Sequence, residues 1–297
     1  MERKKYGFTM IELLTVIGII ALLVGLLIPA LNMVNTMAKE AKQKAQLTAI
    51  EMALTAFRND YGDYPESSWD RPPANYCGAQ KLAEALLGWD LLGFHPKSAW
   101  RSDGYDKDHN PVYGQPPSTQ NLDERRGPYL ELGSANAYKV GISAPGRKDG
   151  LYDEPVPLAP NTYVICDAFG VKRITLTLPN NQTERFLAGT PILYYRANTL
   201  SKTLDRSLGT QSLIYDVYDN LPFINTQQFP KLPPLKKGLR LHKLGVAAGT
   251  YQNFYEYIAD PKASTSGTAW PYRPDSYILI SAGADGEYGT ADDITNF

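Results

Sequence analysis

Cysteine, histidine and excess charge are scarce in this sequence of 297 residues. Its three histidines are isolated, without the spacing of metal ligands. The 30 lysines and arginines nearly balance 31 aspartates and glutamates, whereas nucleic-acid-binding proteins usually carry a basic excess. The sequence also lacks a nucleophile elbow, a phosphate-binding loop and a zinc-ligand pair. These absences favour a protein that is not an enzyme and binds no nucleic acid.

The two cysteines, Cys77 and Cys166, are far apart in the sequence. A disulfide between them is possible if this part of the chain lies outside the cytoplasm. The alternative is a pair of unbonded, buried thiols. Sequence separation does not decide between the two, because bonding depends on the distance in space.

Charge is absent from the 26 residues Leu13–Ala38. About 20 apolar residues are enough for a helix to cross a bilayer. No small-residue cleavage site of the secretory type follows this run, so we expect the segment to be retained. The basic residues before it predict a cytoplasmic N-terminus and a body on the other side of the membrane.

The helix is predicted to continue beyond the apolar run, from Phe8 to about Asp60. Strong helix formers follow Met37. Apolar residues then recur three and four positions apart, which predicts a helical stripe that holds a globular head; they are Leu47, Ile50, Leu54, Phe57 and Tyr61. Pro29 removes one backbone hydrogen bond and predicts a kink or local melting near Leu26.

The body has the patterns of an α+β head. Apolar or alternating runs predict four strands, at Thr162–Asp167, Val171–Leu178, Ile192–Arg196 and Ser276–Ser281. A short helix is predicted at Gln80–Leu92, within a stretch rich in Pro, Gly, Asp, Asn, Tyr and Trp that otherwise has loop character.

Glu12 interrupts the apolar segment near its start. A carboxylate in lipid is costly and is usually paired or functional, although near the interface it could also reach water. Gly7, followed by Phe8-Thr9-Met10-Ile11-Glu12-Leu13-Leu14, resembles the cleavage and methylation motif of type IV pilins and pseudopilins. The resemblance implies cleavage after Gly7 by a prepilin peptidase and methylation of Phe8. It also implies that Glu12 pairs with the N-terminal amine of a neighbouring subunit in a filament.

Further segments resemble the major pseudopilin (protein G) family of type II secretion; they are Asp60–Pro65, Gly127–Leu130 and Asp167–Gly170. The resemblance implies a pilin-like α+β fold in which a long N-terminal helix packs on a small antiparallel sheet. It divides the chain into a leader (1–7), a transmembrane and assembly half of the helix (8–36), an amphipathic half (37–62) and a head (63–297). The extra length falls in a first insertion (about 66–126) and a second insertion (about 200–255).

Acidic residues and glycines alternate in the last loop (281–297). Taken by their chemistry, these residues favour a solvated acidic tail, although calcium binds carboxylate and carbonyl oxygens of this kind. The pattern Gly-Ala-Asp-Gly-x-x-Gly-x-x-x-Asp is similar to the calcium loop that closes the pseudopilin head. The resemblance implies Ca²⁺ as a cofactor, bound by Asp285, Asp292 and Asp293.

Three functions follow as hypotheses. The first is a structural subunit of the periplasmic pseudopilus of a type II protein secretion system, anchored in the bacterial inner membrane by a single pass. Its partners would be its own copies, other pseudopilins, the prepilin peptidase and the inner-membrane secretion platform. The second is a type IV pilus pilin for adhesion or motility. The third is a membrane-tethered enzyme or carbohydrate-binding head, in which the many Tyr and Trp residues could stack on sugars or, more commonly, pack the loops.

Overall fold

The computed structural model describes residues 9–70, 75–113, 119–141, 150–152, 158–177, 182–201, 204, 213–225, 242–245, 252–264 and 269–297. Gly7 and Phe8, the predicted cleavage and methylation sites, lie outside these ranges. Much of the second insertion also lies outside them.

The first element is one helix, α1 (Met10–Tyr61), of 52 residues. At 1.5 Å per residue it is about 78 Å long. It ends where Gly62 adopts a left-handed conformation and its amide donates to the Arg58 carbonyl, a common helix C-cap. The helix is continuous through Pro29, so the local melting expected near Leu26 is not observed.

The head contains short helices and three small antiparallel sheets. The helices are α2 (Gly78–Leu87), α3 (Thr119–Glu124), α4 (Leu132–Ala135), α5 (Leu221–Ile224) and α6 (Gln252–Tyr257), with 3₁₀ turns at Val217–Asn220 and Lys243–Gly245. The strands are β1 (Ala137–Lys139), β2 (Tyr163–Ile165), β3 (Lys172–Thr177), β4 (Thr183–Ala188), β5 (Leu193–Arg196), β6 (Tyr277–Ser281) and β7 (Ile294–Thr295). β1 pairs with β2, β3 pairs with β4, and β5, β6 and β7 form one sheet in that order. The predicted α+β class is confirmed.

Strand β6 is the middle strand of the three-stranded sheet and is buried along its whole length. Ile278 and Ile280 belong to one apolar cluster, whereas Tyr277 and Leu279 belong to the cluster that contacts α1. Successive side chains of a strand point to opposite faces. A strand covered on both faces therefore has the continuous apolar sequence seen here.

Helix α2 confirms the short helix that was predicted within the first insertion, but its burial was not expected. Although it lies in that range, all ten of its residues are buried. Leu82 and Leu86 pack with Leu54 of α1 and Tyr194 of β5. The predicted helix at Gln80–Leu92 is thus observed at Gly78–Leu87, as part of the core of the head.

Cys77 and Cys166 are free thiols in the structure, so the disulfide considered from the sequence is not formed. Both are fully buried in the same apolar cluster. Burial raises the pKa of Cys77 to about 12, and it also raises the pKa of Cys166. Thiols held in this protonated form are poor nucleophiles.

Candidate functional site

The start of α1 is closed by a reciprocal capping box between Thr9 and Glu12. A Glu12 carboxylate oxygen accepts from the Thr9 amide at 2.9 Å and from the Thr9 hydroxyl at 2.6 Å. The Glu12 amide donates to the Thr9 hydroxyl oxygen at 3.3 Å. This Thr-x-x-Glu spacing is a known sequence signature of a helix start. The cap holds the Glu12 carboxylate at the N-terminal end of the apolar helix.

The first half of α1 contacts no other part of the described head. Its large apolar side chains are exposed from Met10 to Met37. A strongly apolar stretch of this helix, long enough to span a bilayer, has none of its residues buried against the described head. The segment is long and apolar enough to cross a membrane, and its exposure leaves it free for lipid or for other helices.

Polar side chains join the second half of α1 to the base of the head. The Lys39 ammonium donates to the Phe169 carbonyl at 2.9 Å, and the Gln43 side chain accepts from the Ala168 amide at 2.7 Å. Gln46 is buried and donates to the carbonyls of Ala135 and Cys166. Helix α1 thus fixes the turn between β2 and β3 by hydrogen bonds, which the sequence analysis missed.

At the C-terminal end of the head, Asp292 closes the acidic loop on itself. One of its carboxylate oxygens accepts from the amides of Ala284 and Asp285, at 2.7 and 3.0 Å. The other accepts from the Thr290 hydroxyl. Burial alone would raise the pKa of Asp292, but these hydrogen bonds lower it below its ordinary value. Gly283 is packed so closely on Asp292 that a side chain at this position would collide with it.

Asp293 shares the Thr290 hydroxyl with Asp292, at 3.3 Å, but its shorter hydrogen bonds go to other partners. Its carboxylate accepts from the Gly289 amide at 2.7 Å and from the Tyr257 hydroxyl at 2.8 Å. Burial raises the pKa of Asp293 to about 6, even though these hydrogen bonds oppose the increase.

The structure thus brings two of the three predicted calcium ligands together. The side chain of Asp285 lies against Asp292, while Asp293 is directed to Tyr257 and meets Asp292 through the Thr290 hydroxyl. Across the described ranges, no group of three or more His, Cys, Asp or Glu side chains is arranged to hold a metal ion. Two adjoining carboxylates and a glycine-rich backbone supply the oxygen donors that calcium prefers. The three-aspartate site stays a prediction.

Residues of the second insertion hold this loop from outside it, a contact that the sequence analysis also missed. The Tyr288 amide donates to His242 Nδ1 at 3.2 Å, and the Leu244 amide donates to the Tyr288 carbonyl at 3.3 Å. His242 is buried, which lowers its pKa to about 4 and favours the neutral ring that can accept this hydrogen bond. No local pattern predicts contacts between segments so distant in sequence.

Comparison with known proteins gives three findings. Residues 3–28 match the family model of the prokaryotic N-terminal methylation motif. The chain is similar to a type II secretion system core protein G of Pseudomonas aeruginosa, with 30% identity over 106 residues, or 36% of this chain and 66% of that protein. It is also similar to the core protein G of Dickeya chrysanthemi, with 37% identity over 67 residues, or 22% of this chain and 42% of that protein.

No solved structure matches the chain. The similarity to the two relatives covers less than two thirds of their length and leaves most of this head unmatched. The N-terminal motif, the long apolar helix and the two relatives together identify the chain as a pilin-like protein, similar to the pseudopilins of type II secretion.

Proposed function

We propose that the chain is a structural, non-catalytic subunit of the periplasmic pseudopilus of a type II secretion system. The observation that carries this proposal is the methylation motif on a helix whose apolar half is bare of contacts with the head. In this proposal the prepilin peptidase cuts after Gly7 and Phe8 is methylated. The helix then anchors the subunit in the inner membrane, with its N-terminus cytoplasmic and its head periplasmic. Its partners are its own copies, other pseudopilins and the secretion platform.

Glu12 has a specific task in this proposal. It lies at the first turn of α1, and Thr9 already orients its carboxylate toward the N-terminal end of the helix. The free amine of a neighbouring processed subunit is a suitable partner, because an isolated carboxylate and an isolated ammonium are both costly in an apolar core. Their pairing would also fix the axial position of one helix against the next.

The test replaces Glu12 with alanine in the full-length chain. We expect Glu12→Ala to insert into the membrane and to lose its leader normally, but to be absent from sheared filaments. The matched control is Glu131→Ala, which removes an exposed carboxylate from the head at the start of α4. Normal filament incorporation of Glu12→Ala would overturn the pairing role.

The position of the filament separates the two filament hypotheses. Both relatives are named for type II secretion, which supports the pseudopilus. Filaments that stay in the periplasm, together with a loss of secretion when the gene is deleted, would agree with this proposal. Surface pili with intact secretion would instead favour an adhesion or motility pilin.

The aromatic residues of the first insertion support a packing role more than a carbohydrate site. Phe94 and Trp100 stack with ring centroids 4.9 Å apart, and Phe57 of α1 meets Phe94 edge to face at 5.1 Å. Trp89 stacks with Tyr113. Rings that cover one another offer less free surface to a sugar, so we do not assign carbohydrate binding to this head.

We also propose that Ca²⁺ stabilises the C-terminal loop. Asp285 and Asp292 would hold the ion together with backbone carbonyls of the loop, and the cation would relieve the repulsion between adjoining carboxylates. Asp293 would contribute indirectly, because the hydrogen bond that it accepts from Tyr257 keeps the loop ordered.

A further inference from the structure

The hairpin formed by β3 and β4 has two unlike faces. In its antiparallel register Ile174 lies opposite Phe186, and this face packs on the core of the head. The neighbouring rungs pair Arg173 with Leu187 and Thr175 with Arg185. Because successive side chains alternate between faces, these residues share the outer face. We call Arg173, Thr175, Arg185 and Leu187 the basic face of the hairpin.

The basic face combines exposed positive charge with an exposed apolar side chain. Arg173 and Arg185 are exposed, and Leu187 is 59% exposed. Glu184 is also exposed, but its position in the register puts it on the other face. Interfacial helices bind membranes through basic side chains, which attract anionic lipids, and apolar side chains, which enter the interfacial layer; the basic face offers both on a smaller scale.

The hairpin begins at the point where α1 leaves the predicted bilayer. The exposed apolar part of α1, from Met10 to Met37, spans about 42 Å at 1.5 Å per residue. A bilayer with its headgroup layers is about 40–45 Å thick. Lys39, which follows immediately, bonds to the carbonyl of Phe169. The loop that leads into β3 is therefore at the level of the outer headgroups.

Close packing keeps the basic face near this level. Gly170 is so near Leu187 that a side chain added at the glycine would lie 3.2 Å from the leucine Cβ. Arg173 is Leu187's partner across the hairpin, and Arg185 lies two residues before Leu187 in β4. At about 3.3 Å per residue these positions lie within about 10 Å of the loop, close to one Debye length at physiological salt. Lys42 and Lys44, both exposed, add positive charge on α1.

We propose that the basic face docks on anionic phospholipid headgroups of the membrane that holds α1. This inference rests on the anchoring part of the proposed function. The arginines would pair with lipid phosphates, and Leu187 would enter the interfacial layer. Docking would hold the head against the membrane before polymerisation, so incorporation into a filament would require release of this contact.

The test uses the full-length chain in lipid nanodiscs. Thr183→Cys places an environment-sensitive fluorophore at the end of the basic face, since Thr183 is exposed. Cys77 and Cys166 are buried and free, so the exposed cysteine is labelled selectively in the folded protein. The measurement is fluorescence quenching by spin-labelled headgroups, with phosphatidylcholine alone or mixed with phosphatidylglycerol. Basic residues near an anionic surface each contribute about 1 kcal/mol, or about a fivefold change in the ratio of docked to undocked heads.

We expect strong quenching only when phosphatidylglycerol is present, and its loss at high salt. Arg173→Gln/Arg185→Gln should lower the docked ratio about 25-fold, by about fivefold for each arginine. The control Arg58→Gln/Lys107→Gln removes the same charge near the far end of α1 and from the first insertion, and should quench normally. Equal quenching in both lipids, or no effect of the double arginine variant, would overturn the proposal. Failure of the chain to enter nanodiscs at all would instead refute the membrane anchoring.

Discussion

Leu54 offers the sharpest test of how α1 carries the head. Its side chain is completely buried between α1, α2 and the three-stranded sheet. Replacing a buried leucine by alanine removes its transfer free energy and leaves a cavity, which together cost about 2–5 kcal/mol. Met52 lies on the same helix but is 63% exposed, and an exposed substitution of this kind costs about 0.5 kcal/mol or less. We therefore expect Leu54→Ala to destabilise the head strongly and Met52→Ala to leave it almost unchanged.

The assay is thermal unfolding of the full-length chain in detergent, followed by tryptophan fluorescence. In a protein of this size each kcal/mol lost lowers the melting temperature by about 2–4 °C. Leu54→Ala should therefore melt several degrees below both the wild-type chain and Met52→Ala. Equal stabilities of the two variants would refute the packing of α1 against α2 and β6.

Two further predictions concern pH and calcium. Burial raises the pKa of Asp219 to about 7, so the folded state retains its proton more tightly than the unfolded state does. The free energy of unfolding should consequently fall as pH rises from about 4 to 7. Asp219→Asn should make this pH dependence weaker in urea unfolding measured across that range. An unchanged pH dependence would contradict the raised pKa of Asp219. For calcium, we expect the ion to raise the melting temperature of the wild-type chain relative to chelator. Asp285→Asn, which keeps an acceptor for the Glu287 amide but removes the charge, should lose this increase; an equal increase in the variant would count against the site.

Local sequence patterns predicted the structural features that depend on residues close together in the chain. The long helix ends at Gly62 because glycine readily adopts the left-handed conformation of a helix cap, and the apolar run at β6 predicted a strand that is buried on both faces. The Thr9–Glu12 capping box was also present in the sequence as Thr-x-x-Glu. This signal could have been read before the structure was known.

Tertiary contacts account for what the sequence analysis missed. Nothing in the composition of α2 distinguishes a fully buried helix from a surface one within a loop-rich stretch. Likewise, the hydrogen bond between Tyr288 and His242 joins residues that are far apart in the chain. For the acidic loop, the residue pattern identified Asp285 and Asp292 as neighbours, but the direction of Asp293 depends on Tyr257 of α6.

The N-terminus of the membrane-extracted protein tests the central claim most directly. If the chain is a processed pilin-like subunit, intact-protein mass spectrometry should find a chain that begins at Phe8 and carries one added methyl group. The same preparation from cells without the prepilin peptidase should retain residues 1–7. A mature protein that still begins at Met1 in cells with an active peptidase would contradict the account, and so would cleavage after the apolar segment.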